Sequence, residues 1–239
     1  MCFSATASFT AGAALAPAGG YCVWSAFKNR DLRRLPLAMV PAFFGIQQFF
    51  EGMVWKTMAQ GESGRPLVVR YSQAFLFFAL FFWPVWLPFS SMILETRTGM
   101  RRFMGTICAL GLILGLLLFW PVAADPERWL TTNIVCSSIH YGYIGTLLFQ
   151  LLGVLPVRIL YLIIGSLPMV LCADGVMRRF GAMLIASALI SHAFFAYAYA
   201  SIWCFFAAML SGYLCWTLRP RPACSASGNA EGFAGLSAG

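Results

Sequence analysis

FLFFALFFWPVWLPF, residues 75–89, decides the class of this chain. It sits within a stretch, 71–93, that holds no Asp, Glu, Lys or Arg. A helix that crosses the hydrocarbon core of a bilayer needs about 20 mostly apolar residues, and this stretch supplies them. Its prolines, Pro84 and Pro88, predict a kink in the second half of the span. Its aromatic side chains fit lipid-facing and interfacial positions better than the wall of a cofactor pocket. Six further runs of the same kind lie at about 5–27, 36–57, 103–123, 157–173, 180–198 and 201–217.

Composition agrees with that reading. Of 239 residues, 60% are hydrophobic and 10% charged, and the mean hydropathy is +0.78. A soluble domain carries about 25% charged residues, so this chain cannot cover a water-facing surface. The net charge of +8 is not spread as a nucleic-acid footprint. It falls into short clusters between apolar runs: Lys28, Arg30, Arg33 and Arg34; Arg97, Arg101 and Arg102; Arg178 and Arg179; Arg219 and Arg221. Those clusters hold 11 of the 16 Lys and Arg, and seven spans place all of them on one side. By the positive-inside rule that side is the cytoplasm, with the N-terminus outside. The first run has no basic segment before it, so it reads as a translocated anchor rather than a cleaved signal.

The stretch 141–156, YGYIGTLLFQLLGVLP, is apolar but short and ends at a proline. It is expected on the outer surface or re-entrant rather than crossing. Residues 1–218 form the membrane domain on this reading, and the small, polar segment 219–239 is expected to be disordered. Gly111–Gly115, Ala182–Ala186 and Ala208–Gly212 have the small-xxx-small spacing of close helix packing.

Polar groups inside spans are costly and therefore informative. Glu51 is the only carboxylate within a span. Gln47, Gln48 and Trp55 lie four, three and four residues from it, on one broad helix face. An unpaired carboxylate at mid-membrane costs about 2.5–3.5 kcal/mol on insertion scales. Glu51 is expected as the neutral acid or beside a cation. It serves either as a proton or cation site or as hydrogen-bonding glue between helices.

The same orientation brings Tyr141, Tyr199 and Trp203 to the outer half as further ligand-binding candidates. It does the same for His140, His192, Cys2, Cys136 and Cys204, a set of metal-ligating types with no ligand spacing on any one element. No C-x-x-C pair occurs among the eight cysteines. The only lysines, Lys28 and Lys56, exclude a retinal Schiff base deep in the last helix. Two histidines exclude a three-histidine zinc site. No nucleotide, zinc-protease or serine-hydrolase motif is present.

The opening MCFSATASF, then QQFFEGMVW, then SIWCFFAAMLS near the end resemble an uncharacterised bacterial family of multi-pass membrane proteins. Its members begin Met-Cys-Phe-Ser-Ala, and the likeness runs from residue 1 to about 217. The resemblance implies a bacterial inner-membrane helical protein and draws attention to Cys2, Gln48, Glu51, Trp55, Trp203 and Cys204. No catalytic role follows from it.

The expected fold is an all-α bundle of about seven transmembrane helices, N-terminus outside and C-terminus inside, in a bacterial inner membrane. Three functions are compatible with it. One is a carrier or channel for a small molecule, ion or proton, with its polar site around Glu51. Another is a membrane protein binding a metal ion or cofactor through outer-half His and Cys. The last is an accessory subunit without chemistry. The partners expected are the lipid bilayer, a small ligand or ion, and another copy or a membrane-complex subunit; nucleic acid is not expected. Nothing specifies an enzymatic reaction.

Overall fold

A computed structural model describes residues 4–143 and 146–219. Cys2 and the tail from 220 onward lie outside the described residues. The helices are α1 (Ala5–Lys28), α2 (Leu35–Ala38), α3 (Val40–Met58), α4 (Arg65–Leu76), α5 (Trp83–Leu94), α6 (Thr98–Ala124), α7 (Pro126–Trp129), α8 (Leu147–Leu152), α9 (Val154–Leu171), α10 (Gly175–Phe195) and α11 (Tyr199–Thr217). Among the described residues, five stretches are long and apolar enough to cross a membrane: Leu32–Met58, Arg65–Leu94, Thr98–Ala124, Val154–Leu171 and Gly175–Thr217. The last of these holds two helices, α10 and α11, joined by a tight turn at Ala196–Ala198 and packed on each other. The expected sixth and seventh spans therefore form one continuous apolar stretch. α1 is long enough but does not qualify by hydropathy, and it lies along α3.

The α1–α3 seam depends on glycine. Gly12 and Gly19 are seven residues apart, as are Gly45 and Gly52. A Cβ on Gly12 would come 3.1 Å from the Gly45 carbonyl oxygen, and one on Gly19 would stand 2.6 Å from the Ala42 nitrogen. Gly111 and Gly115 serve the same end on α6, facing Pro84 and Phe81. Ala182 and Ala186, by contrast, are exposed.

Phe77–Phe82 is a π-helical turn inserted between α4 and α5. Pro84 has no N–H to donate to the carbonyl four residues back, and the Trp83 N–H bonds to Phe78 O, five residues back. The kink expected from the prolines thus takes the form of a widened turn just ahead of them. Tyr161 from α9 donates its hydroxyl hydrogen to Ala79 O within that turn.

Three loops and the end of α11 meet at one end of the bundle. Arg33 donates to Ile93 O and Glu95 O, and Arg34 pairs with Asp174, the N-cap of α10, at 2.7 Å. Ser25 donates to Leu218 O. Glu95 is fully enclosed there. Its Oε1 accepts from the Thr96 and Arg97 backbone N–H groups and Arg97 Nε, and its Oε2 from Arg97 Nη2 and Ala173 N, all at 2.8–3.0 Å. Arg97 also reaches Leu171 O.

A β-hairpin closes the other end, which is a departure from an all-α fold. β1 (Thr131–Val135) pairs antiparallel with β2 (Ser138–Gly142), with Asn133 opposite His140. β1 is mostly exposed and β2 mostly buried. Ser72 Oγ on α4 lies 3.0 Å from Thr132 Oγ1, and Phe75 stacks on Tyr141 with ring centroids 4.9 Å apart. Within 141–156 the described residues are the end of β2, the six-residue α8 and the start of α9, with no helix long enough to cross.

Two clusters of buried side chains stack along the bundle. One, with Leu37, Phe44, Trp83, Met104 and Phe180, fills the end tied by the loops. The other, with Phe75, Leu118, Ile139, Val157 and Cys204, fills the hairpin end, and Phe50 packs against both. Outside them, α6 exposes Ile113, Leu117 and Trp120 and α9 exposes Leu155, Ile159 and Ile163. So broad an apolar surface is the mark of a chain solvated by lipid.

A buried carboxyl beside an aromatic cleft

Glu51 lies in the interior of α3, 2% exposed, with Gln47 and Gln48 fully buried on the same helix. No basic side chain pairs with it among the described residues. Ser201 on α11 donates to Glu51 Oε1, and Ser8 on α1 and Gln48 face the same carboxyl. Three helices therefore meet at this group. Gln47 Oε1 accepts from Trp83 Nε1 at 2.7 Å, while Trp83 stacks on Phe44. Cys204, one helical turn after Ser201, borders both Glu51 and Gln47.

Several polar atoms around this carboxyl are buried and have no hydrogen-bond partner: Gln47 Nε2, both amide atoms of Gln48 and Tyr141 OH. Buried polar groups are nearly always satisfied, and an unmade bond costs about 1–3 kcal/mol. A cluster of them marks a place where water or a ligand completes the set. Tyr141 belongs to the same group, with Glu51 and Cys204 both close enough to act on its charge. Burial above all holds the Tyr141 phenol well above its ordinary 10 and pushes Tyr143 up to about 12. Both hydroxyls are therefore neutral donors.

On the far side of Ser201 and Cys204 two clefts open. The larger holds about 420 Å³ of space free of protein atoms, part of it open to the surroundings. Tyr143, Tyr161, Tyr199, Trp203, Leu118 and Phe149 line it, with Cys204 in its wall and Arg158 on its rim. The smaller, about 240 Å³, is bordered by His140, Tyr141, Tyr197 and Ser201 and shares Tyr143, Arg158 and Tyr199 with the first. The Arg158 guanidinium sits 4.5 Å over the Tyr199 ring, 3.2 Å from His192 Nδ1 and 3.2 Å from Ala196 O.

The residues singled out in the sequence separate into groups. Glu51, Gln47, Gln48, Tyr141 and Cys204 come together. Tyr199 and Trp203 line the neighbouring cleft, their rings 5.5 Å apart. Trp55 is half-buried against the hairpin-end cluster. His140 borders the smaller cleft, His192 holds Arg158, and Cys136 is exposed at the hairpin turn. Among the described residues, no three His, Cys, Asp or Glu side chains are placed to hold a metal. Sequence reasoning missed Ser8, Ser201, Tyr143, Tyr161 and Arg158. Two signals were available: Ser201 precedes Cys204 by three residues on one helix face, and Arg158 is a cation in an otherwise apolar helix.

Fold and site together define a helical bundle, with several helices apolar enough to cross a membrane, built around a buried carboxyl and an adjoining aromatic cleft. Over residues 1–228 the chain matches a family of unknown function (DUF6629), and it belongs to that family. No curated protein and no solved structure matches it.

Proposed function

We propose that this protein is a membrane carrier for a proton or small ligand, with Glu51 as its protonatable centre. The observation that carries the proposal is the position of Glu51: a buried carboxyl without a cation, bonded to Ser201 and bordered by Cys204, each of which lines an open cleft. A carboxyl in that setting is cheapest as the neutral acid. It can give up its proton when the clefts admit water or a ligand, and Gln47 Nε2 and the Gln48 amide can then receive what enters. The proposal places seven spans in a bacterial inner membrane. The loop-tied end carries the basic clusters and faces the cytoplasm, and the hairpin end faces outward. The convergence of loops 29–34, 95–97 and 172–174 at one end supports that alternation.

The test is proton flux in proteoliposomes, read with an entrapped pH-sensitive dye under an imposed gradient. The wild-type chain is expected to dissipate the gradient. Glu51→Gln is expected to lose at least 90% of the rate while keeping its helical content and thermal midpoint. A glutamine variant that carries protons at the wild-type rate, or a wild type no faster than empty vesicles, overturns the reading.

A further inference from the structure

The geometry points to a binding site for an amphipathic anion, with the acid head at Arg158 and the apolar body in the Tyr161–Trp203 cleft. It deepens the carrier reading by naming a class of ligand, but the binding step stands without transport. Three independent observations meet at this site.

The cation comes first. Arg158 has no carboxylate partner among the described residues. Its fixed neighbours are a histidine ring nitrogen, a backbone carbonyl and an aromatic face. None of them neutralises its charge. A guanidinium has five N–H groups, and the bonds to His192 and Ala196 use two. It lines both clefts, so a ligand in either one lies beside it. A carboxylate or phosphate oxygen is the partner such a fork accepts best.

The shape of the larger cleft supplies the second observation. Its walls are Leu80, Leu118, Phe149, Val157 and the rings of Tyr161 and Trp203, which meet edge to face at 5.6 Å. Part of this cleft is open to the surroundings, so an apolar tail can lie along the wall without being enclosed by it. A free inorganic anion would leave that wall uncovered.

Unsatisfied donors are the third. Trp203 Nε1 in the wall of the larger cleft and Tyr141 OH beside the smaller are buried without a partner. Tyr141 is only 4% exposed. Both can donate to an acceptor beside them, and among the described residues no carboxylate lines either cleft to meet a cation. A ligand with a positive head is thereby disfavoured.

The same chemistry occurs in free carboxylic acids and in anionic lipid headgroups, and the experiment separates them. The full chain in neutral detergent is titrated with decanoate, decanol, inorganic phosphate and short-chain phosphatidylglycerol, with the saturable component read by calorimetry. Decanoate is expected to bind at one per chain. Binding is expected to weaken at least tenfold in Arg158→Gln and to recover partly in Arg158→Lys. Decanol is expected to bind at least tenfold more weakly than decanoate. Displacement of decanoate by phosphatidylglycerol assigns the site to lipid headgroups, and its failure to displace assigns it to free acids; either result supports the proposal. Decanol binding as tightly as decanoate, equal binding to wild type and Arg158→Gln, or inorganic phosphate displacing decanoate at comparable concentration overturns it. Repeating the titration in Glu51→Gln separates the two readings: retained binding there with absent flux in the wild type refutes the carrier and leaves the site standing.

Discussion

Replacing Glu95 by glutamine is expected to lower the thermal midpoint at neutral pH and to matter much less in acid. The five hydrogen bonds to this carboxylate join the loop after α5 to the loop before α10 through Ala173. The hydrogen bond from the Arg97 side chain, with backbone N–H groups of Arg97 and Ala173 adding to it, holds the carboxyl down to about 2 against an ordinary 4.5. A pH unit of difference is worth about 1.4 kcal/mol, so the whole difference sets a ceiling of about 3 kcal/mol. Arg97 is 55% exposed, and solvent screening reduces the realised contribution to about 1–2 kcal/mol. On a chain of this size that is a fall of about 5 °C. Because the folded value lies below the ordinary one, the stabilisation is complete above pH about 4.5 and fades as the pH drops towards 2. The assay is thermal unfolding of wild type and Glu95→Gln in detergent micelles from pH 7 to pH 2.5. A variant that melts with the wild type at pH 7, or a gap that stays the same width down to pH 2.5, refutes the reasoning.

Three further outcomes are expected from the packing. Gly19→Leu is expected to destabilise the chain by about 1–3 kcal/mol, because its Cβ meets the Ala42 backbone. Gly20→Leu, which meets nothing within 4 Å, is expected to unfold with the wild type in the same melt. Tyr161→Phe is expected to cost about 1–2 kcal/mol by leaving the Ala79 carbonyl of the π turn unpaired, read by denaturant unfolding. The Cys22 and Cys215 sulfurs lie 3.0 Å apart on the first and last long helices. Treatment with copper phenanthroline is expected to join them, so that a chain cleaved once between α1 and α11 still migrates as one species on a non-reducing gel. Cys215→Ala is expected to abolish that band.

The long helices were legible because lipid imposes a coarse and unforgiving rule, about 20 apolar residues between charges. The stretch 36–57 read from the sequence lies within Leu32–Met58, and 201–217 lies within Tyr199–Thr217. The hairpin was not legible. TTNIV and SIHYG carry β-branched residues, but a two-residue turn of this kind favours Asn-Gly or another glycine pair. Here Cys136 and Ser137 take φ of 48° and 57° instead, a conformation that non-glycine residues rarely adopt. Tertiary contacts, Ser72 on Thr132 and Phe75 on Tyr141, hold what local sequence does not announce. Glu51, Gln47 and Gln48 could be grouped by periodicity because they share one helix. Ser8, Ser201 and Arg158 come from α1, α11 and α9, and helix rotation, which sequence spacing does not encode, decides whether they converge. The Cys22–Cys215 pair was hidden for the same reason, its members lying 193 positions apart.

The knot of bonds around Glu95, Arg33, Arg34 and Ser25 has a mechanical consequence. It fastens α1, α5, α6, α9, α10 and α11 at one end, as the spring of a clothes-peg fastens its arms. The opposite end is closed by a hairpin whose outer strand is exposed and by a six-residue helix that is mostly exposed. Leverage therefore runs one way. Small tilts about the fastened end leave loops 29–34, 95–97 and 172–174 in register and become the largest displacements at the hairpin end, where Tyr199 and Arg158 stand.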